Sequence, residues 1–233
     1  MAENYDVVKA AINQNGSAIK YASNELKSDK SMVMLAVTSQ GGALEHVSQI
    51  MRSDAEVVLA AIENFDQSYI YADKILFQDK NFVMTIVGKV WGFFEELDRS
   101  LQGDRDVVLE ALNLNCDIRD HLPQSLNDDD EVITKIIMSS RFYANWVMEF
   151  ASDRIRNSKD IVLMAIKEDG RALEFVSSDL QSDKEIVLAA VKQNGLALEF
   201  ANDVFKSDKE VVTSALENNG EAMQFVSKDL LNF

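Results

Sequence analysis

Residues 183–207 read Asp183-Lys-Glu-Ile-Val-Leu-Ala-Ala-Val-Lys-Gln-Asn-Gly195, then Leu-Ala-Leu-Glu-Phe200-Ala-Asn-Asp-Val-Phe205-Lys-Ser207. Asp183 carries the short acceptor side chain that satisfies free N–H groups at a helix start. Ile186, Val187, Ala190 and Val191 follow at the i, i+1, i+4, i+5 spacing of one helix face. Gly195 predicts a left-handed residue that ends this helix. Ala197, Leu198, Phe200 and Ala201 give a second apolar face on a segment of about eight residues, too short to stand alone and readable as α or 3-10. Phe205 plugs the gap before the next cap.

Working outward, the same phrase fills the chain. Its caps are Asn4, Asp29, Asp54, Asp79, Asp104, Asp129, Ser158, Asp183 and Asp208, each 25 residues after the last except for a 29-residue step from Asp129 to Ser158. Counting each cap as slot 0, slot 4 holds only Val or Ile and slot 8 is never polar. Slot 7 is Ala except at Ile86 and Ile136; a small residue lets neighbouring helices approach, so the two Ile copies should splay locally. A fixed period of this length predicts units that bury their apolar faces only against each other. The expected fold is all-α: an α/α solenoid of nine two-helix repeats winding as a right-handed superhelix, with residues 1–233 as a single domain.

The phrases Ser182-Asp-Lys-Glu-Ile-Val-Leu-Ala-Ala-Val-Lys-Gln-Asn-Gly195 and Ser207-Asp-Lys-Glu-Val-Val-Thr-Ser-Ala-Leu-Glu-Asn-Asn-Gly220 resemble the repeat family catalogued as domain of unknown function 4116. The resemblance covers the whole chain, most strongly the first repeat and the last three. It implies a helical repeat module, found in bacterial and protist proteins, with no assigned reaction and no functional residues to carry over.

Composition narrows the function. The formal charge of -16 repels phosphate backbones, so nucleic acid is not an expected partner. Much of that acidity is local: 14 of the 39 acidic residues occupy slots 0 and 2, where they cap helices and oppose the macrodipole. No stretch approaches the roughly 20 apolar residues that cross a bilayer, so no membrane association is expected. One cysteine, Cys116, forms no internal disulfide and fits the cytoplasm or another reducing compartment.

Catalytic signals are weak. His46 and His121 both sit at slot 17, where other copies carry Tyr or Phe, so they read as substitutes for packed rings. Three repeats apart, they share no metal, and neither a metal nor a cofactor is expected. No glycine-rich phosphate loop occurs, and the acidic run from Asp128 to Glu131 lacks the alternation and glycine of an EF-hand. Cys116 and His121, five residues apart, form the one enzyme candidate, a thiol beside a base.

The array departs from itself in the middle. Slot 12 is Gly16, Gly41, Gly170, Gly195 and Gly220 in the outer copies, but Asp66, Trp91, Cys116 and Arg141 in the central four. Gly92 is placed to supply the lost left-handed residue one position late. Phe65, Tyr69, Tyr71, Trp91, Phe93, Phe94, Phe142, Tyr143 and Trp146 cluster at and after these altered turns. The four extra residues of repeat six also fall here and amount to about one helical turn. The expected function is a non-catalytic scaffold that binds a protein partner through this edge, with Phe65, Trp91, Phe94, Arg141, Phe142, Tyr143 and Trp146 as candidate contacts. The alternative is a spacer or targeting module whose aromatics only fill irregular packing. The array stops at Leu230-Leu231-Asn-Phe233 without a polar cap, so its last apolar face is expected to be shared, by end-to-end self-association or within a longer protein.

Overall fold

A computed structural model of the protein describes residues 4–114, 118, 122–139 and 144–231. Among these the fold is all-α and repetitive, with no strand. Each repeat opens with a leading helix: Tyr5–Gln14, Lys30–Ser39, Ala55–Asn64, Lys80–Ile86, Arg105–Ala111, Asp130–Ser139, Lys159–Glu168, Lys184–Gln193 and Lys209–Asn218. The caps act as their chemistry dictates. Asp54 Oδ1 accepts from the N–H groups of Glu56 and Val57 at 3.1 and 3.3 Å, and Asp208 does the same for Glu210 and Val211 at 3.0 and 3.2 Å. The slot 4 residues from Val8 to Val212 are buried throughout.

The second segment is a 3-10 helix in most copies, as at Gly16–Tyr21, Gly41–His46, Gly170–Glu174 and Gly195–Phe200. In repeat six it is instead the α-helix Ala144–Phe150, while the leading helix there keeps its 10 residues. The insertion therefore changes the second segment. A third short turn closes each unit, beyond the two helices per repeat that the periodicity suggested. It is α-helical at Gln49–Arg52 and Ser178–Gln181, and 3-10 at Leu26–Ser28 and Phe205–Ser207. Its buried residue at slot 22, such as Met51, Leu180 or Phe205, closes the apolar interior of the unit. At most steps one backbone bond ties this turn to the next unit, as in Ser48 N–H to Lys27 O at 3.0 Å and Ser227 N–H to Lys206 O at 2.9 Å.

The slot 12 glycines do not work as expected. Gly92 alone among the described glycines has a positive φ, +80°, so it does replace the missing cap of repeat four. Elsewhere the leading helix ends at an extended slot 11 residue, such as Asn194 at φ -147° and ψ 110°, and the glycine begins the 3-10 helix. Glycine is needed there because the next repeat comes too close for a side chain. A Cβ on Gly170 would lie 2.5 Å from the carbonyl oxygen of Ala190, and Gly16, Gly41 and Gly195 stand still nearer the carbonyls of Ala36, Ala61 and Ala215. Each of those alanines is at slot 7 of the following repeat, so the two small slots are halves of one contact.

Side-chain amides lock this contact. Asn64 accepts from Gly41 N–H at 2.6 Å and donates to Thr38 O at 3.0 Å. Gln193 spans Gly170 N–H and Glu168 O at 2.6 and 3.0 Å, and Asn218 spans Gly195 N–H and Lys192 O at 2.7 and 2.9 Å. Each slot 10 amide thus satisfies backbone groups that the end of the preceding helix leaves unpaired.

Charge repeats the same connection. Lys30 Nζ lies 2.8 Å from Asp54 and 2.7 Å from Glu56, Lys80 is 2.7 Å from Asp104 and 2.9 Å from Asp106, and Lys184 is 2.8 Å from Asp208 and 2.9 Å from Glu210. The slot 0 acids of these repeats therefore cap their own helix and, with the slot 2 acids, receive a lysine from the previous repeat. Residue contacts divide the chain into two compact units, Met1–His121 and Leu122–Phe233, and each is built from these same steps.

Candidate functional site

In the first unit the regular step fails between repeats three and four. Ile86 replaces the slot 7 alanine and Asp66 replaces the facing glycine, so the close backbone approach is lost at both partners. The leading helices Lys30–Ser39 and Ala55–Asn64 pack along their length, whereas Ala55–Asn64 and Lys80–Ile86 barely touch. Between the latter two a cleft of about 360 Å³ opens, lined by Leu59, Ile62, Glu63, Asp66, Thr85, Ile86, Lys89 and Val90. The expected splaying at Ile86 is present. Its floor is apolar, and Glu63, Asp66 and Lys89 stand exposed at the rim.

The helix Lys80–Ile86 is also shorter than the 10-residue copies, and its chain turns through Lys89 and Val90, whose N–H groups both donate to Ile86 O at 2.9 Å. Gly92 then reverses direction and starts the 3-10 segment Phe93–Glu96. That detour leaves Trp91 68% exposed beside the buried Val90. Phe65, which precedes the lining residue Asp66, is 48% exposed but lies on the side of Gly41 in repeat two. Phe65 also borders a shallower depression of about 370 Å³ formed with Gln40, Gly41, Gly42 and Asn64.

The central aromatics accordingly fall into two groups. Phe65 and Trp91 face solvent. Phe94, expected as a contact residue, is only 2% exposed and packs inside, because the turn at Gly92 drives the 3-10 segment back into the core. Tyr69 and Phe93 meet edge to face at 5.6 Å, and Phe77 and Phe93 at 4.9 Å, so this cluster replaces the packing lost with the glycine step. For these rings the space-filling explanation holds. Trp146, in the second unit, is half-buried and stacks on Phe150 at 5.6 Å and 16°. Arg141, Phe142 and Tyr143 lie outside the described residues, as do Cys116 and His121 of the enzyme candidate. His46 is half-buried, at a slot shared with the half-buried rings of Tyr71 and Phe200.

The acidic run of repeat six is accounted for by ion pairing. Asp129 caps Val132 N–H at 3.0 Å, while Arg154 binds Asp128 at 2.9 Å and Asp130 at 2.6 Å. No group of three or more metal-binding side chains occurs among the described residues.

The model of the family described as Domain of unknown function (DUF4116) matches residues 4–52, 30–77, 79–127, 129–181 and 183–231. The chain belongs to this family. The matches run to about 50 residues and the structural step is 25, so one family domain corresponds to two structural repeats. No curated protein and no solved structure matches the chain. Among the described residues, no helix is long and apolar enough to cross a membrane.

Proposed function

We propose that this DUF4116 array is a non-catalytic scaffold that captures a segment of a partner protein in the cleft between repeats three and four. The observation that carries the reading is the coincidence of two departures: the only described slot 7 isoleucine within the first unit opens an apolar cleft, and the exposed Trp91 directly follows its lining residue Val90 in the chain. An aliphatic or aromatic side chain of the partner enters between Ile62 and Ile86. Trp91 covers it, and Lys89 opposite Glu63 and Asp66 selects a partner with charges of both signs nearby. A cleft of about 360 Å³ admits one or two side chains of a peptide.

The test is panning of a displayed random-peptide library against the intact chain. Peptides sharing an apolar anchor should be enriched. They should be lost with Trp91→Ala, and with the double variant Asp66→Gly/Ile86→Ala, which restores the regular step and closes the cleft. Peptides that bind the double variant as well as the parent refute the reading, as does failure to enrich any sequence.

A further inference from the structure

The steps from repeat two to three, seven to eight and eight to nine use the same contacts, and the outer faces of repeats one and nine each carry half of that set. On repeat nine, Gly220 has nothing within 4 Å of where its Cβ would sit, unlike Gly170 and Gly195, whose Cβ positions are filled by the next repeat. Its N–H meets no side-chain amide among the described residues, whereas Gly195 N–H is held by Asn218. Met223 is 47% exposed although its counterpart Leu198 is fully buried. Lys209 occupies the lysine slot of Lys159 and Lys184 but has no acid to bind among the described residues.

Repeat one presents the complementary half. Ala11, at slot 7, is exposed, and no described glycine lies against its carbonyl. Gln14, at slot 10, is the counterpart of Gln193 and stands exposed, with no preceding repeat among the described residues for its amide to span. Val7 is 60% exposed where Val57 and Ile186 are fully buried. Asp6, at the slot of Glu56 and Glu210, receives no lysine from a preceding repeat among the described residues.

We propose that the outer face of repeat nine docks on the outer face of repeat one of a second copy, continuing the array head to tail. Gly220 then lies against the Ala11 carbonyl, Gln14 accepts from Gly220 N–H as Gln193 does from Gly170, Met223 and Val7 become buried, and Lys209 reaches Asp6 and the Asn4 side-chain oxygen. The argument is one of continuity: the junction reproduces a contact already made inside both units, with the same residue types in the same register. Two different faces meet, so the contact is heterologous and copies add into open chains or closed rings. The surface involved is separate from the repeat three and four cleft.

Sedimentation velocity of the 233-residue chain from ~1 to ~300 μM tests this. The mass should rise with concentration in whole multiples of 26.1 kDa. Lys209→Glu and Asp6→Lys should each weaken association roughly tenfold, because like charges then oppose. Mixing these two variants should restore it, since every unlike junction regains an opposite pair. Gly220→Leu should abolish association while circular dichroism and melting stay those of the parent monomer, because the added side chain meets only solvent there. A single 26.1 kDa species across the whole range overturns the proposal. So does association that survives Gly220→Leu, or that the mixed charge variants fail to restore.

Discussion

Replacing Gly170 and Gly220 separately by alanine puts the same chemical change at the same slot of two repeats, with and without a following repeat among the described residues. Neither glycine has a positive φ, so alanine strains neither backbone. At Gly170 the new methyl would sit 2.5 Å from the Ala190 oxygen and 3.0 Å from the Gln193 side-chain oxygen. The leading helix of repeat eight must therefore retreat. Overpacking of this kind costs about 1–3 kcal/mol. The retreat also stretches the 2.6 Å bond from Gly170 N–H to Gln193, a further loss of about 0.5–1.5 kcal/mol. Against both stands about 0.4–1 kcal/mol gained because alanine restricts the unfolded chain. The net expectation for Gly170→Ala is a destabilisation of about 1–3 kcal/mol. For Gly220→Ala, with open space around the Cβ, only the gain of about 0.4–1 kcal/mol remains. Urea denaturation at sub-micromolar protein, where copies are separate, should show the midpoint falling for the first variant and holding or rising for the second. Equal shifts in the same direction would refute the idea that slot 12 is glycine for the sake of the next repeat.

Three further outcomes follow from the same contacts. Gln193→Leu keeps much of the side chain's bulk but leaves Gly170 N–H and Glu168 O without this partner; chemical denaturation should show a loss of about 1–3 kcal/mol, against little change for Gln14→Leu at the same slot of repeat one. The pH profile of melting should be a plateau with two shoulders. Lys159, held by Asp183 and Glu185, is pushed up to about 12, so its contribution is complete below its ordinary value of 10.5 and is lost as pH rises through about 12. Asp183 and Asp208 are pulled below the usual 3.8 by Lys159 and Lys184, so theirs is present above that value and is lost as pH falls through the lowered one. Phe94→Ala should lower stability by about 3–5 kcal/mol in denaturant titrations, while Trp91→Ala should shift it by less than about 0.5 kcal/mol, separating the buried ring from the exposed one.

The period, the caps and the buried slots were all legible in the sequence, because each follows from local rules: a capping Asp, a helical stripe and a 25-residue recurrence that only a stack of like units explains. The role of glycine was not. A glycine after a helix suits both a left-handed turn and a close approach, and the choice depends on a carbonyl in the next repeat, such as that of Ala190 for Gly170. The extended φ of Asn194, with its side chain accepting from Leu196 N–H at 3.1 Å, supplies the local reason that no left-handed residue is needed. The lysine at slot 1 was likewise visible as a recurring Ser-Asp-Lys, but its pairing with the following repeat emerges only when the helices lie side by side. At the candidate site, the exceptions Ile86 and Asp66 were legible one by one. That they face each other and part the stack was not, because this again depends on register between units. Phe94 shows the reverse limit: aromatic content grouped it with Trp91, and only burial separates the two.

Amide hydrogen exchange at the slot 12 glycines tests most directly whether each repeat is completed by the next. Gly41, Gly170 and Gly195 donate to an amide of the following unit at 2.6, 2.6 and 2.7 Å, whereas Gly220 has no such partner among the described residues. In dilute protein the first three should exchange orders of magnitude more slowly than Gly220. Equal, fast exchange at all four would contradict the account.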